Sequence, residues 1–419
     1  MIESETDYNI VNAKEGYKNT KLGWIPENWS IKSLDELGEF SKGKGIAKKD
    51  ILEEGIEGLP SVRYAEIYTH YHNYTTSFKS RINKDSAQNS NPIEKGDILF
   101  AGSGETLKEI GKSIAYLGDQ TAYAGGDIII FKQKNQDSQY LGYLLNTDVI
   151  RSQLFKIGQG HSVVHIYSSG LKKLFIPLPP LPEQQKIASI INTWDEAIKE
   201  QGKLIAQKQE LKKGLMQQLL TGKKRFEGFD QEWKISKLGD IGNVKMCKRI
   251  FNSETNPVGG VPFYKIGTFG KEPDAYIEEE LFEEYKKRFS YPKIGEILIS
   301  ASGTIGRTVV YNGEEAYYQD SNIIWIDNNE NLVTNKFLFY VLNFVRFETE
   351  GGTLKRLYSY ILKETEFLLP SLVEQEKIVG ILEAVHQEIE KLDLKLKNLK
   401  KQKQGIIQQF LTGKKRLKL

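Results

Sequence analysis

Side chains suited to metal and redox chemistry are scarce: one cysteine, Cys247, and five histidines in 419 residues. A lone cysteine excludes an internal disulfide and a cysteine zinc cluster together. No apolar run approaches the roughly 18 residues needed to cross a membrane. The first residues, MIESETDYN, are acidic and do not fit the basic start of a secretory signal. The chain is therefore expected in the cytoplasm, with no membrane partner. Charge of one sign is lacking too: 58 basic against 55 acidic side chains leave +3. Binding to an acidic polymer must then come from local clustering rather than net charge. What is present is 39% hydrophobic and 27% charged residues, the balance of folded globular domains. At about 150 residues per domain the length allows two or three.

The chain is written twice. Residues 181–187 read LPEQQKI and 372–378 read LVEQEKI, while LTGKKR occurs at 220–225 and again at 411–416, both at an offset of 191. Looser matches precede them: Trp29 to Leu34 with Trp233 to Leu238, Lys95 to Leu99 with Ile294 to Leu298, and Tyr143 to Asn146 with Tyr340 to Asn343. The offset drifts from 204 to 191, so loops differ while the framework persists. A period near 200 residues is a tandem domain duplication, not a solenoid.

The segments at constant offset, Glu183 to Leu219 and Glu374 to Phe410, have the spacing of helices. In the second, Ile378, Leu382, Val385, Ile389, Leu392, Leu396, Leu399, Ile406 and Phe410 recur at alternating steps of four and three, with Lys403 the polar exception. The matched apolar positions of the first are Ile187, Ile191, Trp194, Ile198, Ile205, Leu215 and Leu219. Such a stripe over more than four heptads predicts a coiled-coil seam, in helices of ~55 Å at 1.5 Å per residue. Each copy is the natural partner of the other, which predicts an antiparallel pair separating two globular domains. The globular parts carry short β-rich stretches among Gly and Asn turns, such as 127–131 and 322–326. The fold class is α+β with an internal pseudo-twofold duplication. Its parts are a flexible segment 1–19, a globular domain 20–176, a helical spacer 177–225, a second domain 226–366 and a second spacer 367–419.

Catalytic motifs do not assemble. Phe100 to Gly104 (FAGSG) has the form of a cofactor-cradling glycine loop, but its second copy loses the first glycine and a β-turn is expected. Glu109 to Ser113 ends like a phosphate loop, yet Thr106 stands where the first glycine is required. Asp274, Glu284 and Lys286 mimic a nuclease metal set at loose spacing. His161 and His165 lack the glutamate that a zinc protease places after the first histidine, and the valines between them suggest a strand. No metal ligand set and no catalytic residue is identified.

Two similar domains on a rigid spacer suit the reading of two sites at a fixed separation, which duplex DNA offers. Each domain has turns rich in basic and aromatic residues: Lys42, Lys44, Arg63 and Tyr64 in the first, Lys248, Arg249, Tyr264, Lys265 and Arg307 in the second. Arginine and lysine grip phosphate or read guanine edges, so these nine are the candidate DNA contacts.

Gly23 to Trp29 (GWIPENW), IPLPPLPEQQKI at 176–187, LLTGKKRF at 219–226 and the circular duplication together resemble the specificity (S, HsdS) subunit of type I restriction–modification systems. The resemblance covers almost the whole chain. It implies two target-recognition domains, each reading half of a bipartite double-stranded DNA target. The helical regions would separate them and dock two modification (methyltransferase) subunits, with restriction subunits joining later. It further implies that S-adenosylmethionine, ATP and Mg belong to those partners and that this chain is non-catalytic by itself. The second copy departs from the pattern, reading LLPSLVEQEKI with two prolines fewer. A self-sufficient enzyme and a purely protein-binding coiled-coil adaptor are the other classes that the sequence leaves open.

Overall fold

The structure is a computed structural model that describes residues 15–104, 106, 109–158, 164–351 and 355–417. The chain separates into two units, residues 1–201 with 395–419, and residues 202–394.

In the first unit a five-stranded sheet has the spatial order Gly38–Lys42, Ile128–Gln133, Ile98–Ala101, Ser113–Tyr116 and Tyr74–Thr75. Neighbours are antiparallel except the last pair, which is parallel. The central strand is apolar at every position because both its faces are covered. Ile98 and Phe100 join a cluster with Tyr140, Leu141 and Leu144, whereas Leu99 and Ala101 join another with Val62 and Ile93. A continuous apolar run replaces alternation where a sheet is buried on both sides. A second sheet is ordered Ser80–Ile82, Leu59–Val62, Ala122–Ala124 and Asn91–Ile93. The helix Ser138–Leu144 lies on the first sheet and is capped by Asp137, whose side chain accepts from Tyr140 N at 2.7 Å.

The second unit repeats this plan. Its larger sheet is ordered Gly242–Lys245, Ile323–Asn328, Ile297–Ser300 and Thr308–Val310, its smaller one Tyr276–Ile277, Val261–Tyr264 and Tyr317–Tyr318. The helix Asn335–Phe344 corresponds to Ser138–Leu144 and is capped by Thr334. Among the described residues the larger sheet has no counterpart of Tyr74–Thr75.

Two helices of 39 residues, Leu181–Leu219 and Leu372–Phe410, carry the repeat. Each begins two residues before the glutamate that the repeat points to. Pro182 sits in the first turn of the earlier helix, where a missing N–H leaves no hydrogen bond unmade. In the first unit Asp195 pairs with Lys403 and Glu183 faces Arg416. In the second Lys208 pairs with Glu388 at 2.8 Å and Arg225 with Glu374. Residue numbers rise on one segment as they fall on the other, so within each unit the two segments are antiparallel.

The seam positions are buried or half-buried throughout, but the seam is not only helix against helix. Ile187 and Ile191 share one cluster with Tyr140, Leu144, Ile406 and Phe410. Ile378, Leu382, Leu215 and Leu219 share another with Phe337 and Val341. The ends of the stripe are thus parts of the globular cores, because a helix that starts at the domain surface buries its first turns there. Between them Ile205 and Ile389 are buried, while Trp194, Ile198, Val385, Leu392, Leu396 and Leu399 are half-buried. The expected flexible segment 1–19 needs correction at its end. Tyr17–Thr20 pairs with Gly23–Pro26 in a hairpin, and the Tyr17 hydroxyl donates to Lys414 O at 3.2 Å. Residues 1–14 lie outside the described residues.

Candidate nucleic-acid interface

The duplicated Glu-Gln pair ties each long helix to a globular part. Glu374 is buried, and both its oxygens are satisfied: Arg225 Nε donates to Oε1 at 3.0 Å, and Arg225 Nη2 and Trp233 Nε1 donate to Oε2 at 2.9 and 2.8 Å. Glu183 holds the matched position with looser bonds. Trp29 Nε1 donates to its Oε2 at 3.2 Å, Arg416 Nη2 stands 3.8 Å away, and the buried Oε1 finds no hydrogen-bond partner among the described residues. The carboxylate beside Arg225 raises the guanidinium pKa above its ordinary value. The neighbouring glutamines act on the backbone. Gln184 Oε1 accepts from Asp137 N at 3.0 Å and Gln375 Oε1 accepts from Thr334 N at 2.9 Å, each at the cap of the matching helix. The left-handed turn glycines of LTGKKR, Gly222 and Gly413, lie against Trp233 and Trp29. Arg416, from the end of the sequence, therefore completes the first unit, as Arg225 completes the second: the duplication is circular in structure.

Four of the nine basic and aromatic candidates fall at matched places. The strand Gly38–Lys42 leads through Lys44 to the short turn Lys48–Asp50, and Gly242–Lys245 leads through Lys248 to the turn Asn252–Glu254. The turns are closed alike, by Ala47 N donating to Asp50 Oδ2 at 2.6 Å and Phe251 N to Glu254 Oε2 at 2.7 Å. Arg63 and Lys265 each follow the last residue of a matched strand, after Val62 and Tyr264. Lys44/Lys248 and Arg63/Lys265 are thus pseudo-equivalent pairs, and the sites on the two domains share a plan.

On the first domain Arg63, Tyr64, Gly45, Lys48 and Asp127 line one cleft of about 540 Å³. Gly45, Ile46 and Asp127 all have positive φ there, at 67°, 56° and 60°. Such conformations persist only where surrounding structure holds them, and they gather at functional surfaces. Arg63 Nη2 lies 4.0 Å from the buried Glu66, and among the described residues its buried Nε has no partner. Lys42 is exposed and 3.7 Å from Asp127. On the second domain Lys248 and Arg249 are exposed and lie over Phe289 and Phe251. Two candidates are committed to the fold: Arg307 donates to Phe269 O at 2.8 Å and Tyr264 stacks on Tyr318, whereas Lys265 stays part-exposed in a surface ion pair with Asp274 at 2.8 Å. Sequence reasoning missed Lys48 and the exposed Phe251, which only their position beside matched turns singles out.

The motif residues set aside above are spent structurally. Phe100 to Gly104 is strand rather than β-turn, in Ile98–Ala101 and Ser103–Gly104. His165 lies on a strand and its Nδ1 meets Ser103 Oγ at 2.9 Å, while His161 lies outside the described residues. Asp274 pairs with Lys265, and Glu284 with Arg288. Among the described residues no group of three His, Cys, Asp or Glu side chains could hold a metal ion, and no helix is long and apolar enough to cross a membrane.

Comparison with known proteins follows the same division of the chain. The type I restriction modification DNA specificity domain matches residues 26–208 and 230–401. A putative type I restriction enzyme specificity subunit of Haemophilus influenzae is 47% identical over 51% of this chain and 56% of its own length. The putative MjaX specificity subunit of Methanocaldococcus jannaschii is 29% identical over 97% of this chain and 98% of its own. The crystal structure of the S subunit from M. genitalium superposes with a TM-score of 0.56 at 17% identity, covering 92% of this chain and 96% of that one. A chain from a structure addressing complex assembly of the type I R-M system gives 0.57 at 22% identity, covering 92% and 98%. The duplicated specificity domain spans most of the sequence, and the chain belongs to the type I restriction modification DNA specificity family.

Proposed function

We propose that each globular domain reads one half of a bipartite DNA target and that the paired helices set the distance between halves. The observation that carries this reading is the pseudo-equivalence of Lys44 with Lys248 and of Arg63 with Lys265 around matched turns. Two similar basic sites suit two similar tasks. Lysines grip phosphate and fix register, whereas the fork of Arg63 suits a guanine edge. The long helices offer their exposed faces to two modification subunits, with restriction subunits joining the assembly. S-adenosylmethionine, ATP and Mg would then reside on those partners, and methyl transfer and cleavage would be their chemistry. The whole assembly would work in the cytoplasm.

The test is methyl transfer from labelled S-adenosylmethionine to genomic DNA by the modification subunit, with and without this chain. Incorporation should require both, and this chain alone should bind no S-adenosylmethionine. Binding of that cofactor by the isolated chain would favour a self-sufficient enzyme. A complex that never binds DNA selectively would favour a protein adaptor.

A further inference from the structure

A short strand adjoins the Arg63 cleft. In the first unit Gly102 N donates to Asp127 O at 2.7 Å, and Ile166 N donates to Gly102 O at 2.9 Å. Asp127 lines the cleft, so Val164–His165 lies one strand away from it. That strand pairs with Ser103–Gly104, against which the helix Tyr64–Thr69 also lies.

The second unit repeats the pattern bond for bond. Ala301 N donates to Asn322 O at 2.7 Å, and Leu357 N donates to Ala301 O at 2.8 Å. Ser302 bridges to Arg356 as Ser103 pairs with His165. His165 and Arg356 stand 191 residues apart, the offset of the helical repeats. Backbone and sequence therefore both make them pseudo-equivalent.

Their neighbours agree while they differ. The next residues, Ile166 and Leu357, are buried and apolar. The ones after that are identical tyrosines, Tyr167 and Tyr358, at 55% and 42% exposure. At the position itself one domain has imidazole and the other guanidinium, both half-buried. Each is anchored through one nitrogen. Ser103 Oγ meets His165 Nδ1 at 2.9 Å. Asn322 Oδ1 accepts from Arg356 Nη2 at 2.9 Å and from Ser302 Oγ at 2.8 Å. Among the described residues His165 Nε2 and Arg356 Nε and Nη1 have no partner. A side chain already held in place loses less freedom when it binds.

Phosphates are alike in every DNA sequence and bases are not. Two domains that read different half-sites on one framework then need shared residues for the backbone and unlike residues for the bases. We propose that His165 and Arg356 each read a base, one in each half-site, while the adjoining Tyr167 and Tyr358 grip phosphate. The remaining donors of Arg356 suit a guanine edge. The imidazole offers Nε2 alone, so it makes one bond and discriminates less. The proposal rests on the DNA reading given above.

The experiment is methylome sequencing of a host carrying the modification subunit with the wild-type chain or a variant. Arg356→Ala should relax one position of one block by about tenfold or more. His165→Ala should relax one position of the other block, the one that Arg63→Ala alters. Arg356→Gln should move the preference at its position toward adenine. Tyr167→Phe and Tyr358→Phe should leave the motif unchanged and weaken binding to the purified target about threefold. Should an alanine variant fail to assemble, Arg356→Gln and His165→Asn decide, since each keeps a polar group for its anchor. A bipartite motif unchanged by every substitution at 165 and 356 overturns this proposal alone. So does a change in the same block from both positions, or a uniform loss over all sequences with the complex intact. Absence of a bipartite motif with the wild-type chain overturns it together with the DNA reading.

Discussion

Arg225 sets Nε and Nη2 against the two carboxylate oxygens of Glu374, at 3.0 and 2.9 Å, across 149 residues of sequence. The pair joins the turn that ends the first helical repeat to the buried start of the second long helix. A buried carboxylate left alone is strongly unfavourable, and a planar two-point pairing is specific to arginine. Arg225→Ala should therefore lower the denaturant midpoint of the second unit, and Arg225→Lys should restore little of it. Arg416→Ala should cost less, because Arg416 Nη2 stands 3.8 Å from Glu183, outside hydrogen-bond distance. Equal losses for the two alanine variants, measured by urea unfolding, would contradict this asymmetry.

Burial pushes the Cys247 thiol up to about 12. The folded chain thus keeps its thiol proton when an unfolded thiol, near pKa ~8.5, has lost it. The contribution to stability is full below the ordinary thiol value and is lost as pH rises toward about 12. Iodoacetamide should leave the native protein unlabelled from pH 7 to 9 and should label it at the rate of unfolding. Rapid labelling of the folded chain at pH 8 would show an accessible thiolate instead.

Arg63 carries a buried Nε with no partner among the described residues, in a cleft with three left-handed residues. Arg63→Ala should weaken binding to the target by about 1–3 kcal/mol and relax one base position in one half-site. Lys44→Ala should weaken binding alike on all sequences and flatten its salt dependence. Competition binding against single-base variants of the target separates the two effects.

The helical pair can be lengthened. Four residues inserted after Gln201 and after Leu394 add roughly one turn, ~5.4 Å, to each long helix. At ~3.4 Å per base pair the unread gap in the target should grow by about one or two base pairs, with both half-sites unchanged. An unaltered gap in the methylated motif would show that the helices do not set it.

The long helices are legible in the sequence because period and offset agree over 37 residues; both begin two residues before the repeated glutamate, at Leu181, where the first turn tolerates Pro182, and at Leu372. The Glu-Gln dipeptides are visible as a repeat, but their partners are not: Trp29 is 154 residues from Glu183, and Arg416 comes from the far end of the chain. The basic candidates show the limit of reasoning from residue type. Arg307 and Lys44 look alike in a glycine-rich turn, yet one guanidinium is tied to Phe269 O while the other side chain is exposed. The different sheet edges were hidden because Tyr74–Thr75 lies in the part of the repeat where the offset drifts and no residues match.

The central claim is that two domains of one chain read two separate blocks of DNA. Methylome sequencing of a host carrying the modification subunit, with and without this chain, tests it most directly. The expected result is a methylated motif of two short specified blocks around an unspecified gap, present only with this chain and altered in one block by Arg63→Ala. A continuous motif, or one that persists without this chain, would contradict it.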